Sequence, residues 1–296
     1  MIDMHIHSTN SDGTKNVAEI LKEAESIGLN TISFTDHENC NSYFELENIN
    51  IKDYYSGKII PGIELKSQYK DITMDILGYG IDYKKMRDAI TECYSNLSRG
   101  DIQEKQLKSF YEVGKRLDLK LRPIEELKWD RLRDWGSCVF YDEMKSHEEN
   151  RNKVSENIWS EFIEFKRNYH SKTGDFYINR ANYYPAIKKI IDIIHETGGK
   201  AFIAHIYEYK EIENKVQELE EIISSYDIDG IECYYTNFTE EEHKEVIELT
   251  KKHNLLISGG SDYHGDNKPG IYLGIGKGKL RVPDEIIENW NVNYFD

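Results

Sequence analysis

The sequence predicts an α/β protein, in which strand–helix units form a mainly parallel sheet or barrel and a mainly helical insertion interrupts them. Short apolar strands alternate with helical stripes over residues 1–82 and again over 184–296, the pattern of a parallel sheet. Histidines and carboxylates fall at or just after the ends of those strands, the habit of barrel sites. Residues 83–183 lose this rhythm and read as helices rich in aromatic and charged side chains.

The first strand lies in Asp3-Met4-His5-Ile6-His7-Ser8. Apolar Ile2, Met4 and Ile6 alternate there with Asp3, His5 and His7, the period of a β-strand. His5 and His7 therefore leave the same face and are able to converge on one cation. Val17, Ile20, Leu21, Ala24 and Ile27 then form a helical stripe stopped by Gly28, with Thr14 or Asn16 as its cap. Thr31 to Thr35 is a short strand leading into Asp36-His37. Lys58 to Glu64 is another, broken by Pro61-Gly62, and Ile72 to Leu77 a third, ending at Gly78-Tyr79-Gly80. Within the insertion, Ile158, Trp159, Phe162, Ile163 and Phe165 make a helical stripe. The earlier pattern resumes near Pro185, a good first-turn residue. Ile187, Ile190, Ile191 and Ile194 make a helical face, and Ala201 to Ala204 is a strand delivering His205. Val216, Leu219, Ile222 and Ile223 mark a helix, Gly230 to Tyr234 a strand, and Val246, Ile247 and Thr250 a further helix. Leu255 to Ser258 leads into Gly259-Gly260-Ser261-Asp262-Tyr263-His264.

Composition narrows the function. The 296 residues carry 38 basic and 54 acidic side chains, a balance that argues against a surface built to wrap long nucleic acid. No apolar run approaches the roughly 18–20 residues of a membrane span, and no signal peptide precedes the first strand. The four cysteines, Cys40, Cys93, Cys138 and Cys233, contain no CxxC pair, which fits a reduced, cytoplasmic protein. Nine of the ten arginines lie between residues 87 and 180.

The chemistry-bearing pieces are His5-x-His7, Ser11-Asp12-Gly13, Thr35-Asp36-His37, Gly62-Ile63-Glu64, Ala204-His205 and Ser261-Asp262-Tyr263-His264. As an ordered set they resemble the PHP family, named for polymerase and histidinol phosphatase. The resemblance implies a distorted seven-stranded β/α (TIM-like) barrel over 1–82 and 184–296, with 83–183 inserted as a substrate cap. It implies two or three divalent ions, zinc, manganese or iron, at the carboxyl ends of the strands. His5, His7, Glu64 and Asp262 would hold one; Asp12, His37 and His264 a second; Glu64, Asp75 and His205 a third. Imidazole suits zinc or iron and carboxylate suits manganese. Asp75 stands where many relatives have histidine, so the third site is either altered or lost. Asp36 is expected to orient a ligand rather than bind metal. Glu232 follows a strand and either approaches the site or is a solvated or hydrogen-bonded glutamate. His147, His170, His195, His243 and His253 read as surface or packing residues.

The implied activity is hydrolysis of a small phosphomonoester: a nucleotide, a nucleoside 3′,5′-bisphosphate or the 5′ end of a short RNA. Histidinol phosphate is the alternative substrate. A non-catalytic, metal-stabilised binding or regulatory module is the alternative of another class. His264 or His205 would protonate the leaving oxygen. Because the other segments are acidic and hold only Arg281, the insertion is expected to supply the phosphate clamp, with Arg180 the leading candidate.

Overall fold

The computed structural model describes residues 1–95, 97–131 and 133–295. The chain separates into two compact units: residues 1–69, 73–93 and 185–296 form the first, and 70–72 with 94–184 the second.

The first unit opens with β1 (Ile2–Ile6), α1 (Val17–Ser26), β2 (Thr31–Phe34) and α2 (Asn41–Leu46). Asn16 caps α1 in a capping box with Glu19, so the second of the two expected caps is the one used. β3 (Lys58–Ile59), β4 (Gly62–Tyr69), β5 (Ile72–Tyr79) and α3 (Tyr83–Cys93) follow. The strand expected over residues 58–64 is in fact two strands belonging to different sheets. Pro61 lacks the N–H that would continue the ladder of β3.

The second unit is helical: α4 (Arg99–Arg116), α5 (Gly136–Lys145), α6 (Glu156–Ser160) and α7 (Phe162–His170). They enclose Phe110, Phe140, Phe165 and Phe176, all fully buried. The Phe110 and Phe140 rings stack at 5.2 Å. The expected stripe from Ile158 to Phe165 is broken at Glu161, whose backbone is extended. The break rotates Ile163 outward, leaving it 49% exposed.

The chain then returns to the first unit through α8 (Ile187–Glu196), β6 (Lys200–Ile203), α9 (Lys215–Ser225), β7 (Gly230–Tyr235), α10 (Glu240–Lys252) and β8 (Leu256–Gly260). Among the described residues the strands form two sheets, β1-β2-β3 and β4-β5-β6-β7-β8. The first is parallel. In the second, β6, β7 and β8 are parallel, whereas β5 runs antiparallel to β6. A closed seven-stranded barrel is therefore not what the ladders form. The sheets meet instead through isolated parallel bridges, Ile6 to Tyr263 and His37 to Glu64. His7 N donates to Tyr263 O (2.9 Å) and Glu38 N to Glu64 O (3.0 Å).

Beneath the histidines, Ile2 and Met4 join Leu77, Tyr79, Phe202 and Trp290 in one apolar cluster. Trp290 is fully buried, 4.8 Å from the Tyr79 ring and 4.9 Å from Phe202. This packing fixes β1 against β5 and β6, and so fixes the face that presents His5.

Candidate metal centre

All nine predicted ligands lie in the first unit, and the structure brings them together. Donor atoms of eight of them form three overlapping groups: His5, His7 and Glu64; His7, Asp12, His37 and His264; and Glu64, Asp75 and His205; Asp262 stands beside the first. Parallel strands deliver most of them at their carboxyl ends. Glu64 and Asp75 differ: Glu64 lies near the amino end of β4, and Asp75 comes from the first half of β5, which runs antiparallel to β6. Two of the candidate ligands, His205 (φ 25°) and Asp262 (φ 56°), and Glu38 (φ 48°) next to His37, adopt left-handed backbone. Such conformations cost energy and persist where the surroundings enforce them.

The first group has the tightest geometry. His5 Nε2 is 3.1 Å from His7 Nε2, 3.3 Å from Glu64 Oε2 and 3.5 Å from Asp262 Oδ1. His7 Nε2 is 3.1 Å from Glu64 Oε2 and 3.4 Å from Asp262 Oδ1. A tetrahedral ion with bonds of about 2.0–2.1 Å has ligand–ligand edges of roughly 3.3–3.4 Å. The separations among His5, His7 and Glu64, and those from both imidazoles to Asp262, lie close to such edges, so this group could hold a small divalent ion. The other groups are more open. His264 Nε2 is 3.1 Å and His37 Nε2 3.7 Å from the Asp12 carboxylate. His205 Nε2 is 3.0 Å from Glu64 Oε1 and 3.9 Å from Asp75 Oδ2. Asp75 Oδ1 is buried without a hydrogen-bond partner, an uncommon state for a carboxylate oxygen.

The electrostatics agree. Burial pulls His7 down, but Asp262 and Glu64 outweigh it and hold the imidazole at about 9. His205 likewise reaches about 9 against burial, through Glu64 and Asp75. His5 stands well above its ordinary value although burial opposes it, because Glu232, Glu64 and Asp262 surround it. Glu64 and Asp262 are held well below the carboxylate range despite their burial, chiefly by His5. Burial pushes His37 down to about 3, and burial followed by the Glu64 charge raises Asp75. Without metal, protons on the imidazoles balance the carboxylates; a divalent ion would displace them.

Glu232 is the residue whose role was left open by the sequence. It is fully buried, with Oε1 2.8 Å from His5 Nδ1 and Oε2 accepting from His205 N at 2.8 Å. That bond leaves His5 Nε2 free to face the cluster. The available signal was an acid between Ile231 and Cys233 in a strand buried along nearly its whole length, a costly position unless the charge is used. Asp36 orients no imidazole directly. It accepts from Ser8 N, Ser8 Oγ and Ser11 Oγ at 2.6–2.8 Å, and from Ser42 Oγ, holding the turn that carries Asp12. Buried Asp3 ties β1 to the segment after β8 through Ser261 and Gly274.

An open cleft of about 280 Å³ is lined by seven of the candidate ligands together with Lys66, Lys268, Tyr235 and Glu208. Lys268 Nζ pairs with Asp262 Oδ2, which also accepts from Tyr235 at 2.7 Å. Arg180 belongs to the second unit. It is exposed there, with Nη2 3.0 Å from His170 Nδ1.

An α/β fold with clustered imidazoles and carboxylates at strand ends defines a metal-dependent hydrolase. The PHP domain model matches residues 3–255, and the chain belongs to that family; it is a phosphoesterase of the PHP type. Asp262 and His264 lie beyond the matched span and join the site through the fold. The chain is 23% identical to the 5′-3′ exoribonuclease Rnm of Escherichia coli, over 98% of this chain and 92% of that one. It is 25% identical to a phosphoribosyl 1,2-cyclic phosphate 1,2-diphosphodiesterase of Eggerthella lenta, over 89% and 94%. A crystal structure assigned as a metal-dependent phosphoesterase of Bifidobacterium adolescentis shares the fold at TM-score 0.63 and 18% identity, covering 98% of this chain and 94% of that one. No helix among the described residues is long and apolar enough to cross a membrane.

Proposed function

We propose that this protein is a cytoplasmic hydrolase of a small phosphomonoester on a nucleotide, a nucleoside 3′,5′-bisphosphate or the 5′ end of a short RNA. The observation that carries the metal dependence is the set of donor separations around His5 and His7, all between 3.1 and 3.5 Å. Two or three divalent ions are held by His5, His7, Asp12, His37, Glu64, Asp75, His205, Asp262 and His264. When bound, they lower the pKa of a water and neutralise phosphate oxygens. Glu232 fixes His5, and Asp36 fixes the Asp12 turn. Lys66 and Lys268 place positive charge at the cleft. Arg180 is assigned as the phosphate fork. Proton delivery to the leaving oxygen falls to His264 or His205. The exoribonuclease relatives support the nucleotide reading. The cyclic phosphate diphosphodiesterase relative supports a second reading, a sugar cyclic phosphate.

Separation of the products (inorganic phosphate, mononucleotide or ring-opened phosphomonoester) after incubation with 5′-mononucleotides, nucleoside 3′,5′-bisphosphates, 5′-phosphorylated oligoribonucleotides, histidinol phosphate and a ribosyl 1,2-cyclic phosphate distinguishes these readings. Turnover confined to the first three supports the nucleotide assignment. Turnover confined to histidinol phosphate or the cyclic phosphate replaces it, and no turnover of any substrate favours a binding or regulatory module.

A further inference from the structure

Lys66 lies two residues beyond Glu64 in β4, so the two side chains leave the same face of the strand. Its ammonium stands 3.1 Å from His37 Nδ1, 3.8 Å from Glu38 Oε1 and 3.9 Å from Asp75 Oδ1. Glu38 in turn accepts from the Lys66 backbone N–H at 3.1 Å, and its left-handed backbone (φ 48°) aims it there. Asp75 Oδ1 is the buried oxygen with no hydrogen bond, and this ammonium faces it. A cation from the chain itself therefore borders the group formed by Glu64, Asp75 and His205.

We propose that the Lys66 ammonium is the resident cation of this third group, so that the protein holds two divalent ions rather than three. The inference rests on the reading of the other groups as metal sites. An ammonium and a divalent ion a few ångströms apart repel one another and draw on the same carboxylate oxygens. Lys66 also touches the edge of the second group through His37 Nδ1, at 3.1 Å, but of the carboxylates in the three groups it is ion-paired to Asp75 of the third. Lys268, the other lysine of the cleft, pairs with the Asp262 oxygen that faces away from His5 and His7. Aspartate at 75 suits the arrangement, since a lysine pairs with a carboxylate and repels a charged imidazole.

Metal content after dialysis against excess manganese, measured on the wild type, Lys66→Met, Lys66→Gln and Lys66→Arg, tests the proposal. About two equivalents are expected for the wild type and Lys66→Arg, and about three for the neutral variants. Thermal unfolding gives a second readout that does not depend on activity. Both neutral variants should melt below the wild type when chelated and recover when manganese is restored; a lysine serving only to pack would cost the same in both states. Three equivalents in the wild type, or no added equivalent in either neutral variant, overturns the inference. A wild type that binds no metal removes the metal-site reading itself, which is a separate failure.

Discussion

His5 has two ring nitrogens with different work. Nε2 faces His7, Glu64 and Asp262, while Nδ1 meets Glu232 at 2.8 Å. Glu232→Gln keeps the shape but removes the charge that fixes the imidazole. Metal affinity, read by competition with a chelator, should fall roughly 10–100-fold; unchanged affinity would show that Glu232 only fills space. The histidines also set a pH dependence. His7 and His205 are raised to about 9 from an ordinary 6.5. Their stabilisation of the metal-free protein is therefore complete below about pH 6.5 and lost as pH rises through about 9. Metal held by the first two groups must displace the proton on His7, so its binding strengthens across that window. The melting temperature of chelated protein should fall from pH 6.5 to 9, while the increment gained from manganese grows. An increment flat with pH would contradict proton displacement from these rings. The nine candidate ligands were legible as a set because each belongs to a short motif at or near a strand end, and the fold brings them into one region. Glu232 and Lys66 were not, since each acts through partners distant in sequence: Glu232 through His5 and His205, and Lys66 through His37 and Asp75.

Strands hold the cluster with little room to spare. A Cβ on Gly260 would run into the Cβ and backbone nitrogen of His5, because β8 and β1 approach without a full ladder between them. Gly260→Ala should cost about 1–3 kcal/mol from overpacking and weaken metal binding with it, measured by denaturant unfolding and metal titration. A variant as stable and as metal-competent as the wild type would show that the seam can open. The order of strands and helices from β1 to β8 followed from alternation and stop signals. Pairing did not. Pro61-Gly62 read as a break within one strand, whereas it is the point where the chain passes from one sheet to the other. The direction of β5 likewise depends on its pairing with β6, 120 or more residues away in sequence. In the helical unit, Glu161 divides one expected stripe into two helices, and nothing in the apolar period marks such a break.

Charge is divided unevenly along the whole chain. The net charge is −16, yet nine of ten arginines fall between residues 87 and 180. An acidic chain draws divalent cations and repels phosphate, so a guanidinium fork has a role that the ligand set cannot fill. Arg180→Ala should raise KM for the preferred phosphomonoester roughly tenfold or more, as a lost charge-assisted hydrogen bond of about 1.5–3 kcal/mol would. Metal content should not change, and unaltered kinetics would leave phosphate recognition to the metals and lysines. The family was legible in the ordered motifs, and the match over residues 3–255 bears it out. Substrate choice was not, because it depends on surfaces that no strand-end motif encodes. Metal held by this cluster is expected to carry the phosphoester hydrolysis. The most direct measurement is phosphate release from the best nucleotide substrate before chelation, after chelation, and after manganese or zinc is restored, with Glu64→Ala beside the wild type. Release should vanish on chelation, return with metal, and stay orders of magnitude lower in the variant at every step. Release that survives chelation, or a Glu64→Ala enzyme that regains full activity with metal, would contradict it.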